Sequence, residues 1–203
     1  MPNIIDVVVG LGEVFDRLQL RFAVGGALAN IYWGILRATV DVDCLISLPA
    51  IKYQLLADEL NAIGCTLLDQ HGQDVSVTVA RLREQVDQRK LIECYYPLPN
   101  APVRVELFVP VVPLQEEILR RAVPIRMRNR EIRITTAEDL ILLKLVFHRV
   151  KDLLDVRGIL WLQRERLDLD YLRLWSARTH EPEVQQELER LIAEYCRNNP
   201  ENS

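Results

Sequence analysis

The chain has 203 residues, 49% of them hydrophobic and 27% charged, with 25 Lys and Arg against 29 Asp and Glu for a net charge of −4. That apolar fraction is enough for a buried core and excludes a disordered chain, and the net acidity excludes a general polyanion coat. No apolar stretch approaches the roughly 20 residues of a membrane span.

The opening MPNIIDVVVGLGEVFDRL lacks a basic leader region and carries acids inside its apolar run. It therefore reads as the start of a soluble, cytoplasmic protein and not as a signal peptide. Ile4 to Leu18 places its apolar residues at helical spacing and predicts an amphipathic helix. Arg21–Val24 is a short strand running into Gly25-Gly26, followed by a helix over Ala27–Ile35 with Gly34 at its end. Thr39–Ser47 has the β-branched, alternating character of a strand. Ile51–Ile63 predicts a helix stopped by Gly64, and Gln73–Gln88 is ambiguous, with helix favoured for its second half.

Leu91–Tyr96 and Val103–Val109 read as strands joined by a Pro-rich loop. Leu114–Arg121 is a short helix, and Val123–Arg128 with Glu131–Ile134 forms a hairpin around Asn129-Arg130. From Thr135 the chain reads as helical. Thr135 and Glu138 suggest a capping box ahead of Leu140–Val146. Further helices are expected at Lys151–Gln163, Leu169–Arg178 and Glu183–Arg197, with a frayed NNPENS tail. The expected fold class is thus α/β (α+β): a mixed-sheet core over residues 1–134, then a helical region over 135–203, packed as one compact unit.

The cysteines Cys44, Cys65, Cys94 and Cys196 are scattered, with no zinc spacing and no disulfide framework. Between Arg120 and Arg133 lie six arginines and a single acid, Glu131. Such a stretch can meet a polyanion or form a solvated hairpin face.

Chemistry concentrates in GGALANIYWGILRATVDVD. On a strand Asp41 and Asp43 project to one face, roughly 6–7 Å apart. Two carboxylates so close repel unless a cation lies between them or one is protonated, and carboxylates suit hard Mg²⁺. Gly25-Gly26, between a strand and a helix, lets backbone approach a ligand and offers N–H groups to an anion. A third acid for a two-metal site is Glu106 in VRVELFVP, provided its strand lies beside the D-x-D strand. Glu93 in LIECYY is the runner-up.

Gly-Gly, a helix, D-x-D on a strand and an acid on a later strand together resemble the nucleotidyltransferase fold of the DNA polymerase β superfamily. The wording GGALA…G-x-x-R-x-T-x-D-x-D is similar to the AbiEii/AbiGii-type toxin nucleotidyltransferases and to the small aminoglycoside nucleotidyltransferases. AEDLILLKLVFHRVKDLLDV resembles the element that follows the core in AbiEii-like proteins. Ala27 stands where many superfamily members have Ser, and Glu106 where Asp is usual.

The resemblance implies transfer of an NMP from an NTP to a hydroxyl. Two Mg²⁺ or Mn²⁺ ions would be held by Asp41, Asp43 and Glu106, with the nucleotide bound by Gly25, Gly26, Arg37, Thr39, Lys144 and Asp152. Lys144 would act on the triphosphate, and Arg149, Lys151 and Asp155 would be accessory. An RNA or tRNA acceptor, or a protein hydroxyl, suits the toxin-like likeness, and a cognate antitoxin would then be a partner. The alternatives are a small-molecule, aminoglycoside-like acceptor and a non-catalytic nucleotide-binding module of the same fold.

Overall fold

The computed structural model of the chain describes residues 3–196. The expected frayed tail, and Arg197 at the end of the last expected helix, lie outside them. The chain divides into two compact units, Met1–Leu28 with Ala38–Thr135, and Ala29–Arg37 with Thr136–Ser203. The segment 29–37, assigned from sequence to the core, belongs with the C-terminal helices.

The first unit is built on eight strands: β1 (Phe22–Val24), β2 (Asp41–Ile46), β3 (Thr66–Leu68), β4 (Asp74–Ser76), β5 (Leu91–Tyr96), β6 (Val103–Phe108), β7 (Val123–Met127) and β8 (Arg130–Ile134). They form one mixed sheet in the order β4-β3-β5-β6-β2-β1-β8-β7. β2 pairs with β6 in parallel, as does β1 with β8, and the other pairs are antiparallel. Helices α1 (Ile4–Arg17), α3 (Tyr53–Ala62), α4 (Val79–Arg89) and α5 (Pro113–Arg121) belong to the same unit, and α2 (Gly26–Tyr32) spans the division.

α1 starts where Asn3 accepts from the Ile5 N–H at 2.9 Å while its own N–H donates to Asp6, a reciprocal cap. Its apolar stripe, Val7, Leu11, Val14 and Phe15, is buried, and the Phe15 ring lies 5.2 Å from that of Phe22 on β1. Along β2, β5 and β6, alternation decides which side chain goes where. Val42, Cys44, Ile46, Ile92, Cys94, Val105 and Leu107 are all within 1% of full burial. Asp41, Asp43, Glu93, Arg104 and Glu106, one step out of phase, share the opposite, partly open face. The acids that sit inside apolar runs in the sequence are therefore on the wetter side of a half-buried sheet.

Several boundaries differ from the expectation. β3 and β4 make a small hairpin where no strand was expected at residues 66–68. β2 begins at Asp41 and not Thr39, because the Thr39 hydroxyl turns back onto Asp41. α2 ends at Tyr32, and Gly34, at φ +98°, takes the left-handed position past the helix.

The second unit contains α6 (Ala137–Phe147), α7 (Val150–Gln163), α8 (Leu169–Thr179) and α9 (Pro182–Tyr195). The N-cap of α6 is Thr136, whose hydroxyl accepts from the Asp139 N–H at 3.1 Å, and not Thr135 as expected. The Thr135 N–H is already committed to the Val24 carbonyl, completing the β1–β8 pairing, so the cap moves one residue on. α6 ends at Phe147, and His148 lies beyond it at φ +49° with its N–H on the Lys144 carbonyl. Among the described residues no helix is long and apolar enough to cross a membrane.

Candidate active site

The parallel register of β2 and β6 places Asp41 opposite Arg104 and Asp43 opposite Glu106. The antiparallel register of β5 and β6 sets Glu93 opposite Glu106 and Tyr95 opposite Arg104. Three neighbouring strands thus present carboxylates on one face. Thr39 fixes the Asp41 carboxylate by donating to Oδ1 at 2.9 Å. Glu93 accepts from the Tyr95 hydroxyl at 2.9 Å.

Arg104, which the sequence reading did not single out, bridges two of these acids. Its Nη2 lies 2.9 Å from Glu106 Oε1 and 3.4 Å from Asp41 Oδ2. The available signal was its position two residues before Glu106 on the same strand, which puts both on one face. Among the described residues no three His, Cys, Asp or Glu side chains are gathered closely enough to cage a metal ion. The donors are nonetheless hard oxygens on adjacent strands, and Mg²⁺ is ordinarily held by one or two carboxylates plus water. A positive group already lies between two of them, which is the charge a divalent cation would supply.

Asp43 carries the strain of the arrangement. Burial, then the charges of Asp41 and Glu106 and a hydrogen bond with Glu106, push its carboxyl up to about 7. A carboxyl raised in the folded state stabilises the fold below its unfolded pKa, and that contribution is lost as pH rises through the folded value. In chelator, this carboxyl is therefore expected to lower the wild-type Tm as pH rises between about pH 4 and 7, and Asp43→Asn to remove that contribution. Parallel slopes in thermal melts of the two proteins would contradict the assignment.

Gly26 is pressed against the same carboxylate. Its φ is +54°, and a Cβ added there would come within 1.7 Å of Asp43 Oδ2. Gly25 donates its N–H to the Asp43 carbonyl at 2.8 Å. The Gly-Gly turn therefore lies directly against the D-x-D strand. Gly26→Ala is expected to lower stability by about 1–3 kcal/mol through the left-handed φ and this clash, measurable by chemical denaturation. A neutral effect would mean that the turn yields freely.

The second unit holds its own charged cluster. A single oxygen, Asp155 Oδ2, accepts from Lys144 Nζ at 2.6 Å, Arg37 Nη1 at 2.6 Å and Asn30 Nδ2 at 2.9 Å. Lys144 is buried and also lies 3.9 Å from Asp152. Although burial pushes the Asp152 carboxyl up, the hydrogen bond and charge of Arg149, joined by Lys144, hold it below its ordinary value. Asp155, expected to be accessory, is the hub for Arg37 and Lys144, and Asp152 is reached through Lys144.

Three of the six arginines between 120 and 133 are paired with acids. Arg128 pairs with Asp6 at 2.6 Å, Arg130 with Asp16 at 2.8 Å and Arg120 with Glu117 at 2.5 Å. The stretch that reads as strongly basic in sequence is much closer to neutral once α1 and α5 are in place.

Comparison with known proteins follows the same lines. A family model described as nucleotidyl transferase AbiEii toxin, Type IV TA system, matches residues 8–198. The chain belongs to the AbiEii nucleotidyl transferase toxin family. It is therefore a nucleotidyltransferase of mixed α/β fold. No curated protein matches the sequence significantly.

Among solved structures, an antigenic nucleotidyltransferase-like protein from Paracoccidioides brasiliensis is similar at a TM-score of 0.51 and 15% identity, covering 94% of this chain and 87% of that one. ANT(2")-Ia, solved in complex with adenylyl-2"-tobramycin, aligns at a TM-score of 0.48 and 11% identity, covering 92% of this chain and 97% of that one. At such identities the likeness to the former is one of fold. The AbiEii match covers residues of both units.

Proposed function

We propose that the chain is a metal-dependent nucleotidyltransferase that moves an NMP from an NTP to a hydroxyl on RNA, tRNA or protein, using the carboxylate face of β2 and β6. The observation that carries this reading is the register of Asp43 against Glu106, with Asp41 on the same face and Gly26 pressed onto Asp43. Burial, together with the charges of Asp41 and Glu106, raises the pKa of Asp43, and a group arranged at such cost is a functional candidate.

Asp41, Asp43 and Glu106 would hold Mg²⁺ or Mn²⁺, which supplies a Lewis acid for the acceptor hydroxyl and for the leaving pyrophosphate. Thr39 keeps Asp41 turned toward the face. Gly25-Gly26 offers side-chain-free backbone for the NTP phosphates beside Asp43. Glu106 takes the proton of the attacking hydroxyl. The acceptor oxygen forms a bond to the α-phosphorus as the bond from that phosphorus to pyrophosphate breaks, so positioning and charge neutralisation carry the catalysis. Lys144, Arg37 and Asp152 enter as nucleotide-binding residues on the family pattern, and a cognate antitoxin enters as partner in the same way.

The ion-paired state of Arg120, Arg128 and Arg130 favours a second reading, a small cationic acceptor on the acidic face in place of a polyanion. Incubation with α-labelled NTPs, Mn²⁺ and either total RNA or a pool of small polyamines and aminosugars separates the two. Label on RNA or protein supports the first reading, and label on small molecules alone supports the second. Label on neither, with no pyrophosphate released, would leave only a nucleotide-binding module.

A further inference from the structure

We propose that Arg104 is a built-in counter-ion that occupies the gap between Asp41 and Glu106 and has to be displaced before a divalent cation can bind there. The inference rests on the proposed reading of this face as the metal centre. Its own observation is that one nitrogen, Arg104 Nη2, touches carboxylates from two strands, Asp41 on β2 and Glu106 on β6.

The two occupants exclude each other by size. Guanidinium nitrogen sits 2.9 and 3.4 Å from the carboxylate oxygens here, whereas Mg²⁺ requires oxygens at about 2.0–2.1 Å. While the arginine is seated, the Asp41 and Glu106 oxygens keep its distances and not those of the ion, and no three-acid cage is found among the described residues. The arginine also supplies one positive charge to a cluster of three acids, so part of the repulsion is left on Asp43.

Displacement has a route. The Arg104 side chain is 43% exposed and so is not locked in place. On its far side lies β5, where Tyr95 stands opposite Arg104, and Glu93, two residues from Tyr95, adds its charge to the field at the guanidinium. Leaving Asp41 and Glu106, the guanidinium keeps an anionic neighbour in Glu93. Arg104 thus acts as a positioning residue that sets how much divalent cation the face needs. An arginine seated nine-tenths of the time would raise the apparent dissociation constant about tenfold.

The test is direct binding of Mn²⁺ to the full chain without nucleotide, by electron paramagnetic resonance titration, together with Tm in chelator and in Mn²⁺. Arg104→Gln is expected to bind Mn²⁺ roughly tenfold more tightly than wild type. It is also expected to melt lower in chelator and to gain more from added Mn²⁺. Arg104→Lys, which keeps the charge and loses the fork, should fall between the two. Equal or weaker Mn²⁺ binding by Arg104→Gln, with wild type binding normally, overturns the counter-ion role and leaves the metal centre standing. If neither protein binds Mn²⁺ while both melt cooperatively, the metal-centre reading falls, and the counter-ion with it.

Discussion

Asp43→Asn is expected to melt at a higher temperature than wild type in chelator at pH 8 and to transfer nucleotide on the order of 10³-fold more slowly. The two effects have one cause. The carboxyl of Asp43 is pushed up to about 7 by burial and by Asp41 and Glu106, so at pH 8 the fold contains a negative charge that its surroundings resist. An amide of the same shape fits beneath Gly26, where added bulk does not, and it can donate to Glu106. It removes the repulsion and with it a hard oxygen anion. Residues that act on charge in a reaction are commonly the ones a fold holds at a cost. Thermal melts paired with pyrophosphate release check both halves, and an Asn variant as active as wild type would show that Asp43 is only a structural acid.

The second large effect is on stability. Asp155→Ala removes the one oxygen that receives Lys144, Arg37 and Asn30. Arg37 is partly exposed and can find water. Lys144 is buried, and its next carboxylate, Asp152, lies 3.9 Å away and already takes Arg149. Breaking one side of a buried pair costs about 3–5 kcal/mol, which for a chain of this length lowers Tm by roughly 10 °C. Replacing both partners, as in Asp155→Leu with Lys144→Met, should restore most of that loss, because no buried charge is left unanswered. Full loss of stability in the double variant would mean that the network contributes through Asn30 and Arg37 instead.

Much of the site was legible because it depends on local alternation. The acids of TVDVDCLIS and VRVELFVP fall on one face wherever the strands go, and the structure shows those two strands side by side. The register that sets Asp43 against Glu106 is a contact between residues far apart in sequence and has no local signature. For Arg104 the spacing to Glu106 was local, but its pairing with Asp41 depends on the register of a second strand.

Asp155 was legible as a residue but not as a hub, since its three donors come from residues 30, 37 and 144. The strands β3 and β4 are three residues each and carry little alternation. They are held by pairing and by a Thr66 to Asp74 hydrogen bond, not by a hydrophobic pattern. The arginine-rich stretch reads in sequence either as a polyanion patch or as a solvated hairpin face. Its charge was counted within one segment, whereas Asp6 and Asp16 answer it from α1.

Metal-dependent nucleotidyl transfer at the β2–β6 carboxylate face makes a direct demand on the cation. The most direct measurement is pyrophosphate release from each NTP across a Mg²⁺ and Mn²⁺ titration, with cellular RNA and small molecules as acceptors, on wild type and on Asp41→Ala/Asp43→Ala. Release by wild type is expected to rise with the cation, to stop in chelator and to be absent from the folded double variant. Release by the double variant at the wild-type rate would contradict metal-dependent transfer at this face.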